Sequence, residues 1–260
     1  MPNGLKRWLH SQRALDVMLR KVYGGMVSGK DAVVIRRGPL AGLKLIPGPH
    51  ISHKHLDGRY EEETLAALDR FVPQGAVCYD FGASIGYLSL LMARKASAVY
   101  SFEPAPHALA EIRRQSQANG ITNIHPVQQV VSGDVRDVEF ALTDNAYGSR
   151  IVAGQPVPAD RPKMKFRTTT LNALVSSYPA PDFIKMDVEG EELSVLRGGE
   201  EVIRTKRPIF CIELHSKQLA QDCTALLRSH GYRVTELDGS PFREHGDIRP
   251  GDLQIMAFPS

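Results

Sequence analysis

Val77-Cys78-Tyr79-Asp80-Phe81-Gly82-Ala83-Ser84-Ile85-Gly86-Tyr87 is the stretch from which the fold can be read. A short apolar run ends in an acid, passes two glycines spaced four apart, and enters an amphipathic run over residues 87–94. That order predicts a buried strand, a tight turn and a helix start, the layout of a nucleotide-type site at the carboxyl end of a strand. Gly82 is expected to form the turn and to clear space for a ligand, with Ala83 and Ser84 beside it. Gly86 is expected to let the helix pack close.

Three chemistries compete for this turn. A dinucleotide site needs G-x-G-x-x-G, whose second glycine lets the backbone approach a pyrophosphate. Ser84 stands at that position, and Asp80 adds negative charge where a phosphate would lie. A carboxylate there suits a cationic ligand, such as the amino-acid end of S-adenosylmethionine. Glu103 closes the next apolar run, residues 98–102, and is followed by Pro104. An acid at the end of that second strand can accept both hydroxyls of a ribose. Asp80, Gly82, Gly86 and Glu103 together favour S-adenosylmethionine over NAD.

The third chemistry is hydrolytic. Residues 82–86 are also a literal G-x-S-x-G, the nucleophile elbow of α/β-hydrolases, and Asp187 and His215 follow in the order those enzymes use. This esterase reading ranks second. No H-G-G-G-type oxyanion loop lies upstream, and Asp80 and Glu103 would have no task.

The 260 residues fit one domain with an extension, and a 42% apolar content is enough for a full core. The net charge of +3 is too small to argue for nucleic acid, and no aromatic-basic stripe supports it. Cys78, Cys211 and Cys223 have no metal-binding spacing and read as buried thiols of a reducing compartment. No run reaches membrane-spanning length and no signal-peptide core is present, so a cytoplasmic protein is expected.

From its start the chain carries Leu5, Trp8, Leu9, Leu15, Met18, Leu19 and Val22 at helical spacing, with Lys6, Arg7, Arg13, Arg20 and Lys21 between them. Such a basic amphipathic helix either packs on its own domain or on a twin subunit, or rests on an anionic membrane; packing is the reading adopted, with a homodimer as one form of it. Residues 32–35 and 43–46 flank Gly38-Pro39 and predict a small hairpin. His50, His53 and His55 fall in an expected loop near the site mouth, without carboxylate or cysteine at ligand spacing. A helix over residues 60–71 opens on Glu61, Glu62 and Glu63, which suit its positive end. Residues 1–59 are thus expected to be an extension and residues 60–260 the ligand-binding domain.

A helix over residues 106–119 starts on a proline and ends at Gly120. Residues 125–131 predict a third strand, whose end, with Gln129, lies where an adenine ring could be held. Residues 135–142 and 163–168 predict paired strands around a long loop, residues 144–160, of lid-like length. Then comes Ile184-Lys185-Met186-Asp187-Val188-Glu189-Gly190-Glu191-Glu192, again a strand ending in an acid and followed by a helix. Asp187 is expected at the same crevice as Asp80. Residues 208–215 predict a fifth strand on which Glu213 and His215 share a side. A helix over residues 218–230 and strands over residues 231–235 and 253–257 complete a doubly wound α/β sheet.

The chain resembles the FkbM family of S-adenosylmethionine-dependent methyltransferases from about residue 60 to residue 215, and more weakly beyond. The resemblance is carried by Tyr60-Glu61, by residues 79–87, by Phe102-Glu103-Pro104, by Thr169-Thr170-Leu171, by residues 184–191 and by Glu213-Leu214-His215. It implies a Rossmann-like class I sheet of seven strands with an antiparallel last strand. It also implies S-adenosylmethionine as donor and methyl transfer to a hydroxyl of a small molecule, sugar, glycan or polyketide. Ser84 departs from the Asn usual in the family, and Asn172 from a common Asp.

On this reading Asp80, Gly82, Ala83, Ser84, Gly86, Glu103, Pro104, Gln129 and Asp187 hold the cofactor, and Glu61 and Glu189 face the acceptor. His215 is the first candidate for general base, because imidazole titrates near neutral pH, with Asp187 and Glu213 as the others. A divalent ion held by the carboxylates is set aside, since no third ligand is evident beyond His215, and no metal is expected. A protein that binds the donor without catalysis is the remaining alternative.

Overall fold

The computed structural model describes residues 32–48, 51–142, 149–152, 161–242 and 253–260. The amphipathic helix expected over residues 5–22 lies outside them, as do His50 and most of the 144–160 loop. A hairpin, β1 (Val33–Val34) against β2 (Lys44–Leu45), comes first and is antiparallel. Two helices, α1 (His53–Asp57) and α2 (Glu62–Phe71), lead into β3 (Val77–Phe81), the strand of the opening stretch. Next come α3 (Tyr87–Met92), β4 (Ala98–Phe102), α4 (Pro106–Ala118) and β5 (Ile124–Val127). A small antiparallel sheet follows, with β6 (Asp137–Ala141) between β7 (Arg150–Ile151) and β8 (Lys163–Arg167). The chain then forms α5 (Leu171–Leu174), β9 (Phe183–Met186), α6 (Glu192–Arg197), α7 (Glu200–Thr205) and β10 (Ile209–Leu214). It closes with α8 (Lys217–Ser229), β11 (Tyr232–Thr235) and β12 (Leu253–Pro259).

The main sheet has seven strands in the order β11-β12-β10-β9-β3-β4-β5. The pairs from β10 through β5 are parallel, and β12 runs antiparallel to both β10 and β11. The chain builds outward from β3 through β4 to β5, then returns to lay β9 on the other side of β3. That reversal opens a crevice at the carboxyl ends of β3 and β9, where doubly wound sheets bind their ligands.

Strand alternation divides the core in two. Cys78, Phe183 and Cys211 face one side with Leu65, Leu88 and Ile112 of the first three long helices. Tyr79, Phe81, Ile184, Met186, Ile212 and Leu214 face the other, with Val195, Val202 and Leu227 of the later helices. All three cysteines are free and buried, and burial pushes the Cys211 thiol up to about 12, so these thiols act as small apolar groups. No helix among the described residues is long and apolar enough to cross a membrane.

Two local expectations are revised. His53 and His55 lie in α1, not in a loop: the Ser52 N–H and hydroxyl both reach His55 Nδ1, at 3.0 and 2.8 Å, so His55 takes the part a Glu or Gln plays in a capping box. Its ring stacks on Tyr60 at 3.8 Å. The third strand stops at Val127, and the residues after it turn toward β8 through a parallel bridge between Val131 and Thr169.

Candidate active site

A cleft opens at the β3/β9 switch point. Gly82, Ser84, Glu103, Pro104, Gln129, Asp187 and Glu189 line it, so six of the expected cofactor residues and one expected acceptor residue share one wall. Phe81, Phe102, Val130, Val131 and, from the small sheet, Phe140 and Ile151 supply an apolar floor. An apolar cleft with a few converging polar groups suits a small-molecule ligand.

Glu103 is the polar anchor of that wall. One carboxylate oxygen accepts the Ser84 N–H and the other the Ala105 N–H, both at 2.9 Å. Burial raises its pKa to about 7, against those two backbone hydrogen bonds, which favour the ionised form. Each oxygen keeps a lone pair for a ligand hydroxyl. Ser84 adopts φ 49°, in the left-handed region, which presents its N–H to Glu103.

Gly82, at positive φ in the turn and in the cavity wall, has a further reason beyond the one expected. At its φ of 75°, a Cβ would lie 1.8 Å from the carbonyl oxygen of Asp187. The glycine lets the ends of β3 and β9 meet, and does not merely make room for a ligand. Gly86 does allow close packing, because a Cβ there would come within 3.0 Å of Ile112 on α4.

Asp80 is corrected. Its side chain is fully buried and does not line the cavity. It shares the sheet face of Cys78, where Ser89 of α3 donates to it at 2.5 Å and Lys185 of the next strand stands 3.8 Å away. The parallel register pairs Asp80 with Lys185, so both side chains point the same way. Asp80 therefore has a cation of the protein itself, Lys185, beside it, where the motif led one to expect a ligand's charge in the cavity. Ala83 and Gly86 also lie outside the cavity wall.

Lys185 bridges to the crevice. Its ammonium is 3.6 Å from Asp187 Oδ2, and its side chain is buried. Burial alone would lower its pKa, but Asp187, Asp80, Glu61 and Glu213 outweigh that and hold it well above the ordinary lysine range. Glu61, at the start of α2 with φ 48°, belongs to the same group; burial raises its pKa while the Lys185 charge opposes the rise. Of the three glutamates there, Glu62 and Glu63 sit in the first turn of α2, as expected for its positive end.

At the tip of β10, Glu213 and His215 come together with Asp187. Imidazole Nε2 lies 3.5 Å from Asp187 Oδ1, 3.6 Å from Glu189 Oε2 and 4.0 Å from Glu213 Oε1. Nδ1 is 3.0 Å from Glu192 Oε1, and Glu192 has no exposed side-chain surface. The same Glu192 oxygen accepts the N–H groups of Val188 and Gly190, at 3.3 and 3.1 Å, which fixes the turn after β9. Burial works against the imidazolium, yet the Glu192 hydrogen bond and the charges of Glu192, Asp187 and Glu189 raise His215 to about 9. The surrounding carboxylates thus favour the imidazolium form of His215, a form that donates a proton and does not accept one. Glu213 is raised to about 7 by burial and by the Asp187 charge. Gln254 of β12 donates to its other oxygen at 3.0 Å, and Thr64 of α2 donates to Gln254.

Two members of this site were missed in the sequence. Lys185 had a signal, a lysine inside the otherwise apolar run Phe183-Ile184-Lys185-Met186, which is buried at all four positions. Glu192 read as one more acid at a helix start, and nothing in its spacing distinguished it from Glu191. The esterase triad does not assemble as its chemistry requires. In such a triad Nε2 of the histidine faces the serine, whereas Nε2 of His215 faces three carboxylates.

The sheet order, the antiparallel β12 and the crevice at the β3/β9 reversal define a class I methyltransferase. Residues 80–234 match the methyltransferase FkbM domain, more than half of the chain. The chain belongs to the FkbM methyltransferase family. It is 28% identical over 173 residues to the hexuronic acid methyltransferase AglP of Haloferax volcanii, covering 66% of this chain and 69% of that protein. It is 24% identical over 205 residues to Methyltransferase 1 of Beauveria bassiana, covering 70% of this chain and 80% of that one. Among solved structures, the FkbM methyltransferase of Methylobacillus flagellatus KT is similar with a TM-score of 0.49 and 24% identity, over 71% of this chain and 43% of that longer one.

Proposed function

We propose that the protein transfers a methyl group from S-adenosylmethionine to a hydroxyl oxygen of a sugar, glycan or similar small molecule. The observation that carries this reading is the cleft with Glu103 in its wall and the Asp187–Glu189–His215 group at its edge. The residues present fit the donor: Glu103 has oxygens for a ribose, Gln129 and Val130 lie beside an apolar floor for a base, and Asp187 offers a carboxylate to a cation. When bound, S-adenosylmethionine supplies an electrophilic methyl whose sulfur leaves as a neutral thioether. The kinship with a hexuronic acid methyltransferase supports a sugar as acceptor.

The chain's own work is then alignment and proton removal. Alignment of acceptor and methyl can supply about 7–11 kcal/mol of the barrier at its limit. The acceptor proton passes to a carboxylate, with Glu213, held near neutrality, better matched than Asp187. His215 acts as a donor that orients the acceptor oxygen, while Glu61 and Glu189 flank it. Calorimetry with S-adenosylhomocysteine tests the reading. Binding is expected in the native chain, weakened about ten- to a hundred-fold in Glu103→Ala. Equal affinity in both would remove the cofactor assignment.

A further inference from the structure

The acids around His215 outnumber its one positive charge, and their geometry is that of a ligand set. The donor atoms of Asp187, Glu213 and His215 all lie within 4.8 Å of one another. Metal–ligand bonds of about 2.1 Å place neighbouring donors about 3.0–3.5 Å apart, so the 3.5 and 4.0 Å distances around Nε2 need only a few tenths of an ångström of contraction.

Two further observations point to a cation independently of the acidic composition. Asp187 Oδ1 is shut off from solvent and has no hydrogen-bond partner among the described residues, although it points at His215. Lys185 lies against the other oxygen of Asp187 and is itself balanced by Asp80, so Oδ1 is left turned to the imidazole, whose Nε2 proton a bound cation would replace. Beyond the ring, Nδ1 is held by the fully buried Glu192, which is anchored in turn by two backbone N–H groups. A carboxylate on the far nitrogen is the arrangement that fixes the tautomer and aim of metal-binding histidines.

We infer that Asp187, Glu213 and His215 form a site for a divalent cation, with Glu189 beside it and Glu192 as the positioning residue behind His215. One imidazole with carboxylates suits Mn²⁺ or Mg²⁺ better than a thiolate-seeking ion. The role of this cation, unlike its binding, rests on the proposed function. With the cation bound, Glu213 and the Nε2 of His215 would serve as its ligands in place of their parts as base and donor. An acceptor hydroxyl coordinated to the cation would be acidified and would give its proton to Glu189 at the cavity wall, leaving the oxygen with the pair that attacks.

The test is titration of Mn²⁺ into chelator-treated full-length protein, read by loss of the electron paramagnetic resonance signal of the free ion. One ion per chain is expected. Glu213→Gln and His215→Gln should each weaken it at least about tenfold, and Glu192→Gln about 10–100-fold, with an unchanged circular dichroism spectrum and thermal midpoint as proof of folding. Asp187→Asn serves in place of either ligand variant that fails to fold. No signal loss at millimolar Mn²⁺, or equal binding in the ligand variants, overturns the site. Failure of the methyl-donor reading would show separately, as absent S-adenosylhomocysteine binding with Mn²⁺ binding intact.

Discussion

The ammonium of Lys185 stands 3.8 Å from the carboxylate of Asp80, with both side chains buried between β3 and β9. Each makes the other tolerable inside the sheet. Lys185→Met should strand the Asp80 charge and cost about 3–5 kcal/mol, whereas the double variant Asp80→Asn/Lys185→Met should cost less than the sum of the singles. Urea denaturation of the four proteins closes the cycle, and strict additivity would disprove the pairing.

Glu103 gives the protein a pH dependence of defined sign. Its ordinary value is 4.5 and its folded value is about 7, so the native state holds a proton that the unfolded chain releases. The stability this group contributes is complete below the ordinary value and is lost as pH rises through 7, on the order of 3 kcal/mol in all. The thermal midpoint should fall between about pH 5 and about pH 8, and fall less steeply in Glu103→Gln. An unchanged slope in that variant would contradict the assignment.

Ser84 sits at φ 49°, a conformation that Asn adopts far more readily than most residues. Ser84→Asn should therefore keep or slightly raise the thermal midpoint and preserve S-adenosylhomocysteine binding. Ser84→Val should cost about 1–3 kcal/mol, because a β-branched side chain strains in that region. A fluorophosphonate should leave Ser84 unlabelled.

Gly82 and Gly75 have nearly the same φ, 75° and 76°, but a Cβ at Gly75 meets nothing within 4 Å. Gly75→Ala should cost about 1–2 kcal/mol, the backbone term alone. Gly82→Ala adds a collision with the Asp187 carbonyl and should exceed it by at least about 2 kcal/mol. Paired denaturation curves separate the two terms, and equal losses would exclude the close approach of β3 and β9.

Much of the sheet was legible because period and punctuation agree. Apolar runs ending in Asp80, Glu103 and Asp187 mark three parallel strands, and the glycine spacing after the first fixes the turn. What could not be read was which face each acid chooses. Asp80 and Glu103 look alike in sequence, each a strand-tip acid. Asp80 lies within β3 and points toward Ser89 and Lys185, while Glu103 lies just past the end of β4 and turns into the cleft. Register across strands decides this, and one sequence does not display register. The behaviour of His215 was hidden for a similar reason. Its raised pKa comes from residues 187, 189 and 192, which only the fold gathers around it.

The placement of β12 between β10 and β11 has a consequence for biogenesis. Those two strands are made earlier and cannot bond to each other in the finished sheet, so both wait with open edges until residues 253–259 leave the ribosome. Glu213 waits with them, since Gln254 is the side chain that holds it. The proposed base is therefore among the last parts of the molecule to set, and a nascent chain stalled before that strand would hold an adhesive edge instead of a closed sheet.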